Sequence, residues 1–236
     1  MSIHADHRPG TAGTPRAPRL LVIPGLHDSG PAHWQTWLQR QYSDARRVVQ
    51  RDFSRAELER WAERIQSTVD NAGGEWIAVA HSFGVLALVR HLSENRNSPI
   101  REALLVAPAD PEKFGIAELL PHRRLPVPST LICSQNDPWM SAVGASRWAM
   151  RWGSHVSNLG PVGHINTESG FGPLPLAKRW VDAAMAQAAR EGRAAGGLHA
   201  DFARAPAQAV VSRSTGAAES PEFKVPRDRI RPSCQP

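Results

Sequence analysis

The sequence of 236 residues contains only two cysteines, Cys133 and Cys234, and only one tyrosine. Two cysteines are too few for a disulfide framework or a cysteine-rich zinc site. Since disulfides are rare in reducing compartments, we expect a cytoplasmic protein. The chain has no run of about eighteen apolar residues, so we expect no membrane-spanning helix. Its first eighteen residues lack the apolar segment of a secretory signal.

Lysine is also scarce, because only three of the 28 cationic side chains are lysines. The net charge of +6 first suggests a polyanionic partner such as nucleic acid. The excess divides into +1, +3 and +2 over residues 1–18, 19–190 and 191–236, and no block of five or six like charges occurs. We therefore predict no nucleic-acid partner. The alternative is a weak, salt-sensitive association through the arginine-rich ends.

The two ends of the chain differ in composition from its middle. Residues 1–18 are rich in proline, glycine, threonine and alanine. Residues 191–236 mix alanine, glycine, serine and arginine with several prolines, and they show no sustained hydrophobic period. We predict a disordered leader and a disordered low-complexity tail on either side of one folded domain, residues 19–190.

Short apolar segments alternate with helical patterns in this middle region. The predicted strands are Leu20–Pro24, Arg47–Gln50, Trp76–Ala80, Ala103–Ala107, Thr130–Ser134 and His155–Leu159. The predicted helices are Ala32–Tyr42, Arg55–Asn71, Gly84–Glu94, Ala142–Trp152 and Leu176–Ala189. Ser54 and Glu57 fit a capping box at the start of the second helix. The alternation predicts an α/β fold, a mostly parallel sheet of about six strands with helices on both faces.

The segment WIAVAHSFGV, residues 76–85, carries the clearest functional signal. A buried strand is predicted to end at Ala80 and a helix to begin near Phe83, so Ser82 lies at the sharp turn between them. The pattern is typical of the nucleophile elbow of α/β-hydrolases, with Ala80 in place of the first glycine of Gly-x-Ser-x-Gly. We predict that Ser82 is a catalytic nucleophile. The alternative is an ordinary strand-to-helix turn that Ser82 caps.

Later strand ends carry the two partners that a nucleophilic serine needs, in the chain order Ser, acid, His. His164 follows the last predicted strand and is the expected general base. Asp137 follows the preceding strand, where it would orient the imidazole. Asp110, one strand earlier, is the alternative acid, and we favour Asp137.

Backbone N–H groups beside the elbow are candidates for an oxyanion hole. The first strand ends in the glycine turn PGLHDSG, residues 24–30. A turn at this place supplies one donor in the fold, and the start of the helix after the nucleophile supplies the other. The predicted pair is therefore the N–H groups of Leu26 and Phe83. The alternative is a simple turn, with Gly25 present for its positive φ.

Residues 19–190 resemble the retinoblastoma-binding-protein-9/YdeN family of small serine hydrolases. The matching segments are VIPGLHDSGPAHWQTWL, the Asp52-Phe53 pair, IAVAHSFG, ALLVAPADP, SQNDPWMS and GHINTESGFG, in this order. The resemblance implies a compact α/β-hydrolase without a large lid, and a triad of Ser82, Asp137 and His164. It also favours Asp137 over Asp110. No Leu-x-Cys-x-Glu motif occurs, so the pocket-protein partner of the eukaryotic relatives is not expected here.

Several side chains next to the predicted triad are candidates for substrate contact. His27 follows the glycine turn, Trp139 and Met140 follow the acid, and Phe171 follows the base. His81, directly before the nucleophile, is a further candidate.

Other residues are expected to have no part in the chemistry. We expect a structural hydrogen-bonding role for Asp52 and a buried, inert thiol at Cys133. No His-Glu-x-x-His, Gly-x-Gly-x-x-Gly or phosphate-binding loop occurs, so we predict no metal and no other cofactor.

The leading hypothesis is a serine hydrolase that cleaves small ester or amide substrates through an acyl-enzyme intermediate. The stretch between Pro108 and Pro128 is short, which leaves room only for a small lid and favours small or extended acyl groups. The alternative is a non-catalytic protein-binding module on the same scaffold, because a fold does not guarantee chemistry.

Overall fold

The computed structural model describes residues 17–204, with side chains to residue 191. The strands in this range are β1 (Arg19–Ile23), β2 (Arg46–Arg47), β3 (Trp76–Ser82), β4 (Ile100–Pro108), β5 (Ser129–Cys133) and β6 (His155–Asn158). The α-helices in the same range are α1 (Trp34–Gln39), α2 (Leu58–Ala72), α3 (Phe83–Glu94), α4 (Ala142–Trp152) and α5 (Pro175–Arg204). No described helix is both long and apolar enough to cross a membrane.

The strands form one sheet in the order β2-β1-β3-β4-β5-β6, and every neighbouring pair is parallel. Because all strands run the same way, their carboxyl ends meet at one edge, where ligands bind in open α/β sheets. The predicted α/β-hydrolase fold is confirmed. Two strands differ in position: β2 pairs at Arg46–Arg47 rather than over the predicted Arg47–Gln50, and β4 begins at Ile100 rather than at the predicted Ala103.

Apolar side chains cover both faces of the sheet. In β1, Leu21 faces a core formed with Trp61 of α2 and with apolar side chains of α3 and α4. Leu20, its neighbour, faces the opposite core, which includes Trp34 of α1 and Val181 of α5. Successive side chains of a strand point to opposite faces, so a strand covered on both sides must be apolar throughout. This explains the unbroken LLVI and WIAVA segments.

The start of α2 differs from the prediction. The helix begins at Leu58 instead of Arg55, and the Ser54 hydroxyl donates to Asp52 Oδ1 at 2.7 Å rather than capping the helix. The Ser54 N–H donates to the same oxygen at 2.8 Å. The predicted capping box is therefore wrong, because Ser54 forms a turn with the Asp52 carboxylate and does not bind the N-terminus of the helix.

The end of the domain also differs from the prediction. Helix α5 continues to Arg204 and so passes both its predicted end at Ala189 and the domain boundary placed at residue 190. The helix therefore includes residues 191–204 of the predicted tail, residues 191–236. The remainder of that tail and residues 1–16 of the predicted leader lie outside the described residues.

Helix α3 begins in contact with the carboxyl end of β1. A Cβ atom on Gly84 would come within 2.7 Å of the Ile23 carbonyl oxygen and closer still to that of Pro24. No other residue fits there without moving the backbone. Gly84 therefore lets the turn that carries Ser82 lie against β1.

Replacing Gly84 with alanine should lower the free energy of unfolding by about 1–3 kcal/mol, the usual cost of overpacking. Urea denaturation of both proteins measures the difference. Gly30→Ala is the matched control, since a Cβ atom there would meet no atom within 4 Å. Equal stability of the two variants would contradict this account of Gly84.

Candidate active site

Ser82 lies at the junction of β3 and α3 in a strained conformation. Its φ and ψ are 53° and −124°, a left-handed region that non-glycine residues rarely adopt. Its side chain makes no capping hydrogen bond to α3. Instead, Ser82 Oγ lies 2.9 Å from Nε2 of His164. The alternative in which Ser82 merely caps the helix does not fit this geometry.

The structure brings Asp137 and His164 together. His164 Nδ1 lies 3.0 and 2.9 Å from the two carboxylate oxygens of Asp137, and the two side chains are 8% and 2% exposed. A carboxylate facing Nδ1 fixes the proton there and leaves Nε2 to accept from the Ser82 hydroxyl. Asp110, the alternative acid, has a different contact. Its Oδ1 accepts the Glu112 N–H at 3.1 Å and so caps a short 3-10 turn.

Polar side chains join the two loops that carry the acid and the base. Asn136 Oδ1 accepts from the Gly163 N–H at 2.7 Å and from the Ser134 hydroxyl at 3.0 Å. The His164 N–H in turn donates to Ser169 Oγ at 3.0 Å. These contacts hold the backbone next to Asp137 and His164. Sequence reasoning missed these residues, and the only available signal was that Asn136 directly precedes the acid.

The glycine turn after β1 lies against Ser82. A Cβ atom on Gly25 would lie 2.8 Å from Ser82 Cβ, so the glycine is needed for this close approach. The reading in which Gly25 serves a positive φ is wrong, since His27 and Asp28 have the positive φ values of this turn. Within residues 17–204, the N–H groups of Leu26 and Phe83 have no hydrogen-bond partner.

Backbone strain in the described chain is concentrated at the same edge of the sheet. The non-glycine residues with positive φ are His27, Asp28, Ser82, Ala107 and Ile165. Each lies at or just beyond the carboxyl end of β1, β3, β4 or β6. Such conformations cost about 1–3 kcal/mol each and cluster at functional sites.

The predicted substrate contacts differ in accessibility. Trp139 is 47% exposed, and its ring centroid lies 6.3 Å from that of His164. His27 is exposed, and Phe171 is half-buried against the core that α1 and α5 cover. Met140 is 2% exposed and packs in the core under α4, so it offers much less surface for substrate contact than Trp139 does.

His81, the further candidate for substrate contact, is also largely buried. Its exposed fraction is 5%, and its ring lies between those of His33 and His164, at centroid distances of 5.0 and 4.9 Å. Burial, followed by the charges of His164 and His33, holds the pKa of His81 well below its usual range. Burial, followed by the charge of Arg47, lowers the pKa of His33 to about 4.

Buried neutral histidines should make the protein sensitive to mild acid. Burial lowers the pKa of His91, like that of His33, to about 4. Since an unfolded histidine titrates near 6.5, the unfolded state binds more protons between pH 6.5 and 4, and stability falls as pH falls through this window. The expected loss is up to about 3 kcal/mol per histidine at pH 4, measured by urea denaturation at a series of pH values.

A variant of His91 tests the sign and origin of this effect. His91→Phe removes one titrating ring and should reduce the pH dependence between pH 6.5 and 4. Ser98→Ala is the control, because it removes the hydroxyl that lies 2.9 Å from His91 Nε2 but keeps the ring. If His91→Phe retained the full pH dependence, burial of His91 would not be its source.

Two other sequence predictions concern residues outside the triad. Asp52 makes structural hydrogen bonds, as expected, and the bonds from Ser54 lower the pKa of its carboxyl group. Cys133 is buried, and burial raises the pKa of its thiol. Among the residues described here, no cluster of three or more histidine, cysteine, aspartate or glutamate side chains is placed to hold a metal ion.

Comparisons with known proteins agree with this geometry. The family model described as "Serine hydrolase" matches residues 20–183. A YdeN-like hydrolase from Pectobacterium atrosepticum is 34% identical, with a TM-score of 0.69 over 72% of this chain and 91% of its own. The ydeN gene product of B. subtilis is 19% identical, with a TM-score of 0.60 over 72% and 99% of the two chains.

More distant proteins share the fold alone. Est1E from Butyrivibrio proteoclasticus is 11% identical, with a TM-score of 0.56 over 73% of this chain and 90% of its own. No curated protein matches the sequence significantly. The family match spans more than half of the chain, and its range includes Ser82, Asp137 and His164. The chain therefore belongs to the serine hydrolase family of α/β-hydrolases.

Proposed function

We propose that this hydrolase cleaves small ester or amide substrates through an acyl-enzyme intermediate. The observation that carries the proposal is the continuous hydrogen-bond chain from Ser82 Oγ through the His164 ring to the Asp137 carboxylate. A hydroxyl bonded to a neutral imidazole, whose other nitrogen faces a buried carboxylate, is the arrangement that activates serine for attack on a carbonyl.

Acylation would begin with attack of Ser82 Oγ on the substrate carbonyl carbon, while His164 Nε2 accepts the hydroxyl proton. The carbonyl oxygen then carries negative charge, which the Leu26 and Phe83 N–H groups would stabilise. Both donors are already oriented by the backbone and have no competing partner in the described chain. Such preorganised donors typically contribute a factor of about 10²–10³ to kcat.

Breakdown of the tetrahedral intermediate would break the bond from the carbonyl carbon to the leaving group. His164 gives its proton to the leaving oxygen or nitrogen, and the acyl group stays on Ser82. Water then attacks the acyl carbon and loses a proton to His164. The bond from the acyl carbon to Ser82 Oγ breaks, His164 returns the proton to Ser82 Oγ, and the carboxylic acid product leaves. Asp137 keeps the imidazole in one tautomer and stabilises its positive charge in both halves of the reaction.

The surroundings of the triad support a small or extended acyl group. The segment between β4 and β5 contains two short 3-10 turns, Pro111–Phe114 and Ala117–Leu119, which is little material for a lid. Exposed Trp139 offers a flat apolar surface at 6.3 Å from the His164 ring. We further propose a small-molecule substrate, no nucleic-acid partner and a cytoplasmic setting, for which the evenly spread charge and scarce cysteines are the support.

The proposal is tested by labelling the folded protein with a fluorophosphonate probe, followed by mass spectrometry of the peptides. Activated serine forms a bond to phosphorus and expels fluoride, so the expected product is a single adduct on Ser82. Ser82→Ala should give no adduct, and Ser43→Ala, which changes an exposed serine, should be labelled like the wild type. Absence of labelling in the folded wild type would favour the non-catalytic binding module.

A second test measures how kcat/KM depends on the length of the acyl chain. Among p-nitrophenyl esters, kcat/KM should stop rising beyond short acyl chains, because a short lid buries few methylene groups and those left in water add no binding energy. Aminoacyl-naphthylamides tested beside the esters measure amide cleavage. A kcat/KM that rises steadily with acyl length would contradict the proposed preference.

A further inference from the structure

Two buried ring N–H groups hold the backbone of the loop that carries His164. His81 Nε2 lies 3.0 Å from the carbonyl oxygen of His164. Trp34 Nε1 donates to the carbonyl oxygen of the next residue, Ile165, at 2.8 Å. Trp34 is fully buried and His81 is 5% exposed, so both bonds are shielded from water. Consecutive peptide carbonyls beside the proposed base are thus bound from the interior of the protein.

The first of these bonds determines the state of the His81 ring. A carbonyl oxygen can only accept, so Nε2 of His81 carries the proton and donates. Burial keeps the ring neutral at ordinary pH, because it holds the pKa of His81 well below its usual range. A neutral ring binds the carbonyl without adding positive charge at 4.9 Å from the His164 ring. A charged ring there would oppose the imidazolium that His164 forms during the reaction.

The loop needs such support because its backbone is strained. Ile165 has a φ of 50°, a conformation that a β-branched residue adopts only when its surroundings enforce it. Its side chain is completely buried. The bonds from Trp34 and His81 lie on either side of the strained φ angle and oppose its relaxation. Any relaxation would rotate the peptide that carries the His164 ring.

His81 also directly precedes Ser82 in β3. Strand β3 therefore carries both Ser82, the proposed nucleophile, and the His81 ring that binds the His164 carbonyl. His81 and His164 are 83 positions apart in the chain. We propose that His81 and Trp34 are positioning residues, which hold the His164 imidazole at hydrogen-bond distance from Ser82 Oγ through the backbone of residues 164 and 165. This inference rests on the proposed serine hydrolase mechanism.

Variants that remove only the donors test the proposal. His81→Leu should lower kcat for p-nitrophenyl acetate by about 10- to 100-fold while KM changes little, because a displacement of about 1 Å can cost 10²-fold. His81→Gln retains an amide N–H that can reach the same carbonyl and should recover most of kcat. Trp34→Phe keeps the buried ring but loses the indole N–H, and it should lower kcat by about tenfold.

A matched control separates positioning from stability. His91 is also a buried histidine, but it lies in the last turn of α3, at the opposite end of the helix from Ser82, and its Nε2 faces Ser98. His91→Leu should lower the melting temperature without lowering kcat of the folded fraction. If His81→Leu folds poorly, the comparison of Trp34→Phe with the wild type decides the question at low temperature.

A readout that does not depend on turnover is the NMR resonance of the His164 Nδ1 proton. The proton should lie far downfield in the wild type and shift in His81→Leu, but it should remain in place in His91→Leu. An unchanged resonance and unchanged kcat in both His81→Leu and Trp34→Phe would overturn the positioning proposal. Failure of Ser82 itself to react with the fluorophosphonate would instead overturn the proposed function.

Discussion

Replacing Ser82 with alanine should lower kcat for p-nitrophenyl acetate by about 10⁴- to 10⁶-fold, the largest effect expected of any single substitution in this protein. The variant retains the oxyanion donors and the base but has no atom that can form the acyl-enzyme. The fall should be in kcat, because the Ser82 hydroxyl contributes little to binding of the ground state. Steady-state kinetics with the purified variant measure it.

The variant should fold at least as well as the wild type. Alanine at residue 82 keeps the small side chain that the turn accommodates, and loss of the hydroxyl removes no helix-capping bond. Circular dichroism and the melting temperature provide the control. Residual activity within tenfold of the wild type, in a preparation free of other esterases, would exclude Ser82 as the nucleophile.

Asp137→Asn should lower kcat by about 10⁴-fold, which is the second large effect. An asparagine amide can present an N–H group to His164 Nδ1, and the imidazole then takes the tautomer whose Nε2 carries the proton. Nε2 can no longer accept the Ser82 proton. The variant should partly recover activity at high pH, where hydroxide replaces the base, and a pH–rate profile records this change.

Asp110→Asn is the matched control, because Asp110 is the alternative acid and also follows a strand at this edge. Its Oδ1 accepts the Glu112 N–H, and an asparagine side-chain oxygen can accept the same bond. We expect kcat within about threefold of the wild type. If Asp110→Asn lost activity and Asp137→Asn kept it, the assignment of the acid would be reversed.

The closeness of Ser82, Asp137 and His164 could be predicted because each lies at or beyond the carboxyl end of a strand. Apolar segments mark the strands, and a parallel sheet brings the residues at their carboxyl ends to one edge. Chain order then suggests which of the three is the nucleophile, the acid and the base in the proposed triad. No coordinate information is needed to place the three residues near each other, although only the structure gives the distances between them.

The side chains next to the triad could not be predicted in the same way. Met140 and Trp139 are adjacent in sequence, yet Met140 is 2% exposed and Trp139 is 47% exposed. His81 adjoins Ser82 and is buried beneath it. Successive residues near a strand end point in different directions, so closeness to a catalytic residue in sequence does not show which side chain reaches the substrate.

Predictions from local sequence patterns fail where a distant contact or a competing local hydrogen bond determines the structure. The capping box predicted at Ser54 is wrong because the Ser54 hydroxyl donates to the Asp52 carboxylate and not to the start of the helix. The bond between His81 and the His164 carbonyl joins residues 83 positions apart, and nothing in the intervening sequence indicates it. Such pairs depend on the three-dimensional arrangement of the sheet.

The concentration of positive φ values at one edge of the sheet has a consequence for laboratory evolution. Glycine in place of Ala107 would relieve strain of about 1–3 kcal/mol and remove only one methyl group, so selection for heat resistance alone would favour this change. The same change would loosen the backbone at the edge that carries the proposed triad. Stability and activity would therefore compete at the catalytic edge, and a library intended to improve both should place its diversity at the amino-terminal edge of the sheet.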